Sequence, residues 1–252
     1  ILRQALKTND LQNIPDCVVL TEPTGDIKEG PCGIYIGQKG RVQLKLEIIG
    51  RTANGACPKS GINPLEYGSL IIAEAAEQAR NGLGHNKFLG KSTRVATSSD
   101  IRTISNTTIP HKYIIHFDRR LLPNETKELA IKEIENLTSY KRAREAGNEL
   151  SITIPQYYAK THCGYDYFND MYYRGWITYP RDPVVSAAVE SYKRVVTPNV
   201  EHHTQPSPEF IPKKPRVGSW NISTDGVGYQ FRKDSLNQQL ESKNWTSDGP
   251  FT

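Results

Sequence analysis

The sequence contains no run of roughly 18 apolar residues, the length a membrane-crossing helix needs. Its opening stretch, Ile1 to Asp10, lacks the apolar centre of a secretory leader. A membrane partner is therefore not expected, and the cytoplasm is the expected location. Cysteine is scarce: Cys17, Cys32, Cys57 and Cys163 are scattered, with no Cys-x-x-Cys pair. That pattern suits reduced thiols and argues against a disulfide framework or a zinc knuckle. Met171 is the only methionine and the chain opens on Ile1, which fits a fragment or a processed product. Histidine does not cluster into a ligand set: His111 and His116 fall on opposite faces of one expected strand, and His202-His203 lie in a proline-rich loop. Neither sign of charge dominates, with 32 basic against 27 acidic residues and a net charge of +5. The short basic clusters at 211–216 and 140–144 lack the interleaved aromatics of a nucleic-acid module, so nucleic acid is not an expected partner.

What is present is enough apolar material, 37% of 252 residues, for one large domain or two ordinary ones. Val18, Val19 and Leu20 read as a strand buried on both faces, the continuous apolar pattern of α/β proteins. Glu22 follows just past its end, and Pro23 pushes it toward extended geometry. Ligand sites of open α/β sheets lie at the carboxyl ends of strands, so Glu22 is either a site carboxylate or a solvated loop residue.

From Arg41 to Ile49 apolar and polar residues alternate, the mark of a half-buried strand. Asn63-Pro64-Leu65-Glu66 supplies an N-cap, a proline at the first helical position and an acid at the third, predicting a helix to about Arg80 that Asn81-Gly82 stops. Strands are expected at 92–98 and 112–118, the latter with Tyr113, Ile115 and Phe117 on one face. A long helix is expected from Asn124 to Gly147, followed by a strand over 150–155. The order β-α-β-β-α-β is that of the split βαβ, ferredoxin-like unit. Asp182-Pro183 starts a further helix, residues 197–219 read as a loop, and the tail from about Asp234 is polar. The fold class is α/β, with an inserted ferredoxin-like domain at 39–157 flanked by segments 1–38 and 158–252 of a second domain. Inserted modules of this kind often act as lids.

Six stretches in order, VVLTEPTG, GQKGR, GRTANGACPKSGINP, NTTIP, HFDRRLLPNET and NISTDGV, resemble the M20 family of metallo-hydrolases and peptidases. That family includes acetylornithine deacetylase and succinyl-diaminopimelate desuccinylase, and the sequence is most similar to its YgeY-like branch. The resemblance implies a zinc-peptidase-like α/β catalytic domain holding two divalent metal ions, zinc or zinc with another metal. It also implies a lid that forms a homodimer, and hydrolysis of an amide bond in an N-acyl amino acid or short peptide by metal-activated water. Glu22 then matches the metal-ligating carboxylate of an EPT turn. Asn106 and Arg119 match substrate-binding positions, a guanidinium fork suiting a substrate carboxylate. Arg119 also reads as a surface strand arginine paired with Asp118. Ser223, Thr224 and Asp225 match a loop beside the site, and equally form an ordinary turn.

The pattern departs from the family in three places. Only 21 residues precede Glu22, so the family's upstream His-x-Asp, bridging Asp and Glu-Glu motifs are missing, and no histidine follows His203. The chain alone is therefore expected to bind zinc poorly and to be inactive. Asn54 stands where the family has a histidine that reaches into the partner subunit's active site. An amide can still donate to an oxyanion but carries no positive charge, and Asn54-Gly55 is also good turn material. The alternative function is a catalytically inactive family member acting as a dimerising structural or binding module.

Overall fold

The computed structural model describes residues 17–20, 33–160, 162–199 and 215–221. The chain divides into two compact units, residues 1–23 with 224–252 and residues 24–223. In the first, Cys17–Leu20 form no strand, and Val18 and Val19 are 37% and 77% exposed. This corrects the expected doubly buried strand. An apolar run is buried on both faces only where other strands flank it, and no described strand pairs with this one.

The second unit is organised around an antiparallel sheet. Its strands β2 (Gly40–Ile49), β5 (Thr93–Arg102), β6 (Lys112–Leu121) and β7 (Glu149–Thr153) stand in the spatial order β7-β2-β6-β5. Between them lie helix α1 (Pro64–Asn81) and the pair α2 (Lys127–Glu135) and α3 (Thr138–Glu145). The β-α-β-β-α-β order and this strand order make the unit ferredoxin-like. Two short strands, His85–Asn86 and Gly90–Lys91, form a small hairpin ahead of β5 and are numbered β3 and β4.

The expected alternation of β2 holds: Val42, Leu44, Leu46 and Ile48 are fully buried. They pack with Ile115 and Phe117 of β6 beneath Ile71 and Ala75 of α1, Ala130 and Ile134 of α2, and Tyr140 and Ala143 of α3. Helix α1 begins as its local sequence dictates. Asn63 Oδ1 accepts from Leu65 N at 3.1 Å, Asn63 Nδ2 donates to Glu66 at 2.9 Å, and Gly82 ends the helix at φ 107°.

The single long helix expected over 124–147 is instead two. Thr126, not Asn124, is the N-cap, its hydroxyl accepting from Leu129 N at 3.2 Å. The helix breaks at Leu137, whose backbone is extended, and restarts at Thr138. The cause is remote in sequence: the Glu74 carboxylate on α1 accepts from Thr138 N at 2.9 Å and Ser139 N at 2.7 Å, capping a fresh helix start.

A second, three-stranded sheet holds β1 (Gly33–Gln38) between β11 (Trp176–Ile177), antiparallel to it, and β12 (Arg216–Trp220), parallel to it. Strand β12 begins inside 197–219, where a loop is expected; its pairing comes from a partner far upstream. Helix α4 (Pro183–Asn199) packs beside β1. Between the two sheets the chain crosses twice. Gln38 leads through Lys39 into β2, and β10 (Tyr172–Tyr173), which pairs with β2, leads through Gly175 into β11. A Cβ on Gly40 would lie 2.4 Å from Gly175 N, so the two crossings pass each other at backbone contact. Strands β8 (Gln156–Lys160) and β9 (Asp166–Asp170) form a separate hairpin with Tyr158 against Phe168, ring centroids 4.8 Å apart. No described helix is long and apolar enough to cross a membrane.

Candidate functional site

Two loops meet at the end of the ferredoxin-like sheet where β2 finishes and β6 starts. The first, 50–63, is pinned at its base by Arg51 and Ile62, which exchange backbone hydrogen bonds of 3.0 and 2.9 Å. A short 3-10 turn, Pro58–Ser60, tightens it. The second, 103–110, is shaped by hydroxyls. Thr103 Oγ1 donates to Ser105 O at 2.8 Å, and Thr107 N donates to Ser105 Oγ at 3.1 Å. The loops then bond to each other: Asn54 pairs with Thr108 as an isolated antiparallel bridge, Gly55 N donates to Thr107 O at 2.8 Å, and Ile109 N donates to Ala53 O at 2.8 Å.

Two of the residues singled out in the sequence, Asn54 and Asn106, are thus presented together, both exposed. Asn54 Oδ1 accepts from Ala56 N at 2.9 Å in an Asx turn, and Cys57 N donates to Asn54 O at 2.8 Å. The acceptor half of the carboxamide is engaged, so what Asn54 offers a ligand is its Nδ2 donor. Beside it opens a pocket of about 510 Å³ bordered by Gly55, Asn106 and Thr107, with the first turn of α1 on its far wall.

Arg119 does not join them, which corrects both expectations for it. It sits on the same face of β6 as Tyr113, Ile115 and Phe117, pointing into the helix layer, and is fully buried. Its Nε and Nη2 donate to the two oxygens of Glu133 at 2.9 and 2.8 Å, Nη2 also donates to Glu125 at 3.1 Å, and Nη1 to Arg120 O at 2.5 Å. Burial alone would lower its pKa, but Glu133 and Glu125 hold it above the ordinary arginine value. A guanidinium so engaged has no fork left for a substrate carboxylate. Nor does Asp118 partner it: Asp118 lies on the opposite face, accepting from Arg41 and Arg120, each at 2.7 Å.

Arg120 is therefore the outward-facing arginine that the sequence reading passed over. The signal was in the alternation, since Tyr113, Ile115 and Phe117 put the odd-numbered positions inside. Near it, Lys39 donates to Lys91 O at 2.7 Å, and burial together with the Arg120 charge holds its ammonium below the ordinary lysine pKa.

Glu22, Ser223, Thr224 and Asp225 lie outside the described residues. Among the described residues no group of three His, Cys, Asp or Glu fits a metal ion, and Cys17, Cys57 and Cys163 are free and exposed.

The site is thus two loops bonded to each other at one end of a ferredoxin-like unit. Residues 36–144 match the M20 dimerisation family, described as a peptidase dimerisation domain; this stretch is such a domain, and the chain is a homologue of M20 hydrolases. It is 27% identical to the uncharacterised protein YgeY of Escherichia coli K12, over 86% of this chain and 47% of that protein. It is 29% identical to the succinyl-diaminopimelate desuccinylase of Sulfurimonas denitrificans, over 54% of this chain and 33% of that enzyme. The fold is shared with the M20 family metallo-carboxypeptidase Sso-CP2 of Sulfolobus solfataricus: TM-score 0.60, 16% identity, 93% of this chain and 57% of that one. The chain thus spans about half the length, or less, of the curated relatives it matches.

Proposed function

We propose that the chain is part of a metal-dependent amidohydrolase or peptidase, working in the cytoplasm, that cleaves the amide bond of an N-acyl amino acid or short peptide. In the full-length protein a pair of divalent ions, zinc by the resemblance, would supply Lewis-acid chemistry and a bound water of lowered pKa. The described residues do not fit such ions, and Glu22, the ligand position carried by the resemblance, is not among them. What this chain's own loops contribute is substrate handling. The observation that carries the reading is the bonding of the Asn54 turn to the Asn106 loop on a peptidase dimerisation domain.

In this reading Asn54 donates from Nδ2 to the oxyanion formed in the partner subunit's site, and Asn106 hydrogen-bonds the substrate. Ser223, Thr224 and Asp225 are assigned to the substrate from the resemblance alone. The lid runs over 39–157, with 1–38 and 158–252 in the catalytic domain. The homodimer forms along β5, which is a sheet edge among the described residues, a reading supported by the exposure of Leu70, Val95, Ile101 and Ile104. The test is amine release from N-acyl amino acids by the full-length protein that contains this chain, with and without chelation.

The same exposed apolar residues also favour the second reading, a dimerising module without catalysis. That reading requires a dimer indifferent to chelators and no amine release at any metal loading.

A further inference from the structure

Resting on the reading that the Asn54 and Asn106 loops meet a substrate, we propose that the pocket beside them is a side-chain subsite for a basic group, an ammonium or a guanidinium. Its volume of about 510 Å³ is in the range that holds a small ligand. It is lined in part by Pro58, Ile62 and Leu65, with Tyr67 beside them. Such a lining suits a methylene stem that carries its charge toward the polar rim.

The charge of the lining decides the class. Among the described residues Glu66 is the only ionisable acid or base lining it apart from Tyr67, and Arg51 and Lys59, its nearest basic neighbours in the loop, do not line the pocket. Arg51 instead donates from Nε to Ser60 O at 3.1 Å. Asn63 Nδ2 holds Glu66 Oε1 at 2.9 Å, which fixes the carboxylate and leaves Oε2 as an acceptor. The N-terminus of α1 reaches the pocket too, and its positive end would by itself attract an anion. It is already answered by Asn63 Oδ1 on Leu65 N and by Glu66 within the first turn. A substrate ending in a second carboxylate would face Glu66 with no cation to offset it. A basic side chain meets a fixed, partly solvated acceptor, so the expected preference is modest.

The probes are N-acetyl-arginine amide, the neutral isostere N-acetyl-citrulline amide and the anionic N-acetyl-glutamate amide. Each is titrated into the 252-residue chain while the amide resonances of Gly55, Gly61 and Thr107 are followed by NMR. The expected result is saturable shifts with the arginine compound, binding about three- to fivefold tighter than the citrulline compound, and no saturable shift with the glutamate compound. Glu66→Gln, whose amide oxygen still accepts from Asn63, should level the first two. The proposal is overturned by no saturable shift with the arginine compound, by equal or tighter binding of either other probe, or by a preference that survives Glu66→Gln. None of these readouts needs metal or turnover. A failed subsite therefore leaves amine release and its dependence on Asn54 intact, whereas a failed hydrolytic reading shows as no amine release from any substrate.

Discussion

Arg94 and Arg119 lie directly opposite each other across β5 and β6, on the buried face of the sheet. Two guanidiniums in that register repel, and the arrangement stands because Glu133 of α2 accepts from both, from Arg119 at 2.8 and 2.9 Å and from Arg94 at 3.3 Å. Arg94 is further held by Ala75 O and Gln78 of α1, each at 2.7 Å. Removing the shared carboxylate leaves two buried cations short of a counter-charge. Glu133→Gln should therefore cost about 3–5 kcal/mol in urea unfolding. Arg119→Met should cost a similar amount, because it leaves the buried Glu125 without its cation. If Arg119 served a ligand instead, its replacement would leave stability nearly untouched.

The Glu74 cap predicts a pH signature. Partial burial raises this carboxyl's pKa, but the hydrogen bonds from Ser139 and Thr138 outweigh it and hold the group below its ordinary 4.5. A carboxyl depressed in the folded state contributes fully above its unfolded value and loses that contribution as pH falls through the folded one. Glu74→Gln should lower stability by about 1 kcal/mol at neutral pH, and the deficit should shrink below pH 4.5. Thermal melts of both proteins at pH 7 and pH 3.5 check it. A deficit independent of pH would contradict the cap.

At the crossing between the two sheets, Gly40→Ala places a methyl within 2.5 Å of Tyr173 O as well as against Gly175. The expected outcome is a loss of roughly 1–3 kcal/mol, with hydrogen exchange quickening first at Tyr172 and Tyr173. An unchanged exchange pattern there would show that the crossing is not tightly packed.

The exposed apolar residues along α1 and β5 give a prediction about assembly. Leu70 is 55% and Ile101 43% exposed, so charge is tolerated at either position in a monomer. Leu70→Glu combined with Ile101→Glu should convert a dimer to a monomer in light scattering while leaving the circular dichroism spectrum unchanged. A dimer that survives both would move the interface elsewhere.

What the sequence made legible was local. The Asn63-Pro64-Leu65-Glu66 cap and the period-two patterns of β2 and β6 depend on neighbours within a turn or a strand, and these elements form where the sequence puts them. What it hid was decided across space. Glu74 breaks a helix from more than sixty positions upstream, and β12 exists because it pairs with β1. Val18 and Val19 needed flanking strands that no described residue supplies. The site divided the same way. The turn chemistry around Asn54 was visible in Asn54-Gly55, whereas the bonding of that turn to the 103–110 loop was not. Arg119 was assigned by its neighbours in a motif when its own alternation with Phe117 already pointed it inward.

The most direct test is amine release from N-acyl amino acids by the full-length protein containing this chain, measured after chelation, after zinc is restored, and with Asn54→Ala. The account predicts that release stops on chelation and returns with zinc. It also predicts that Asn54→Ala lowers kcat by roughly a hundredfold while the dimer persists. Release that ignores chelation, or that Asn54→Ala leaves unchanged, would contradict it.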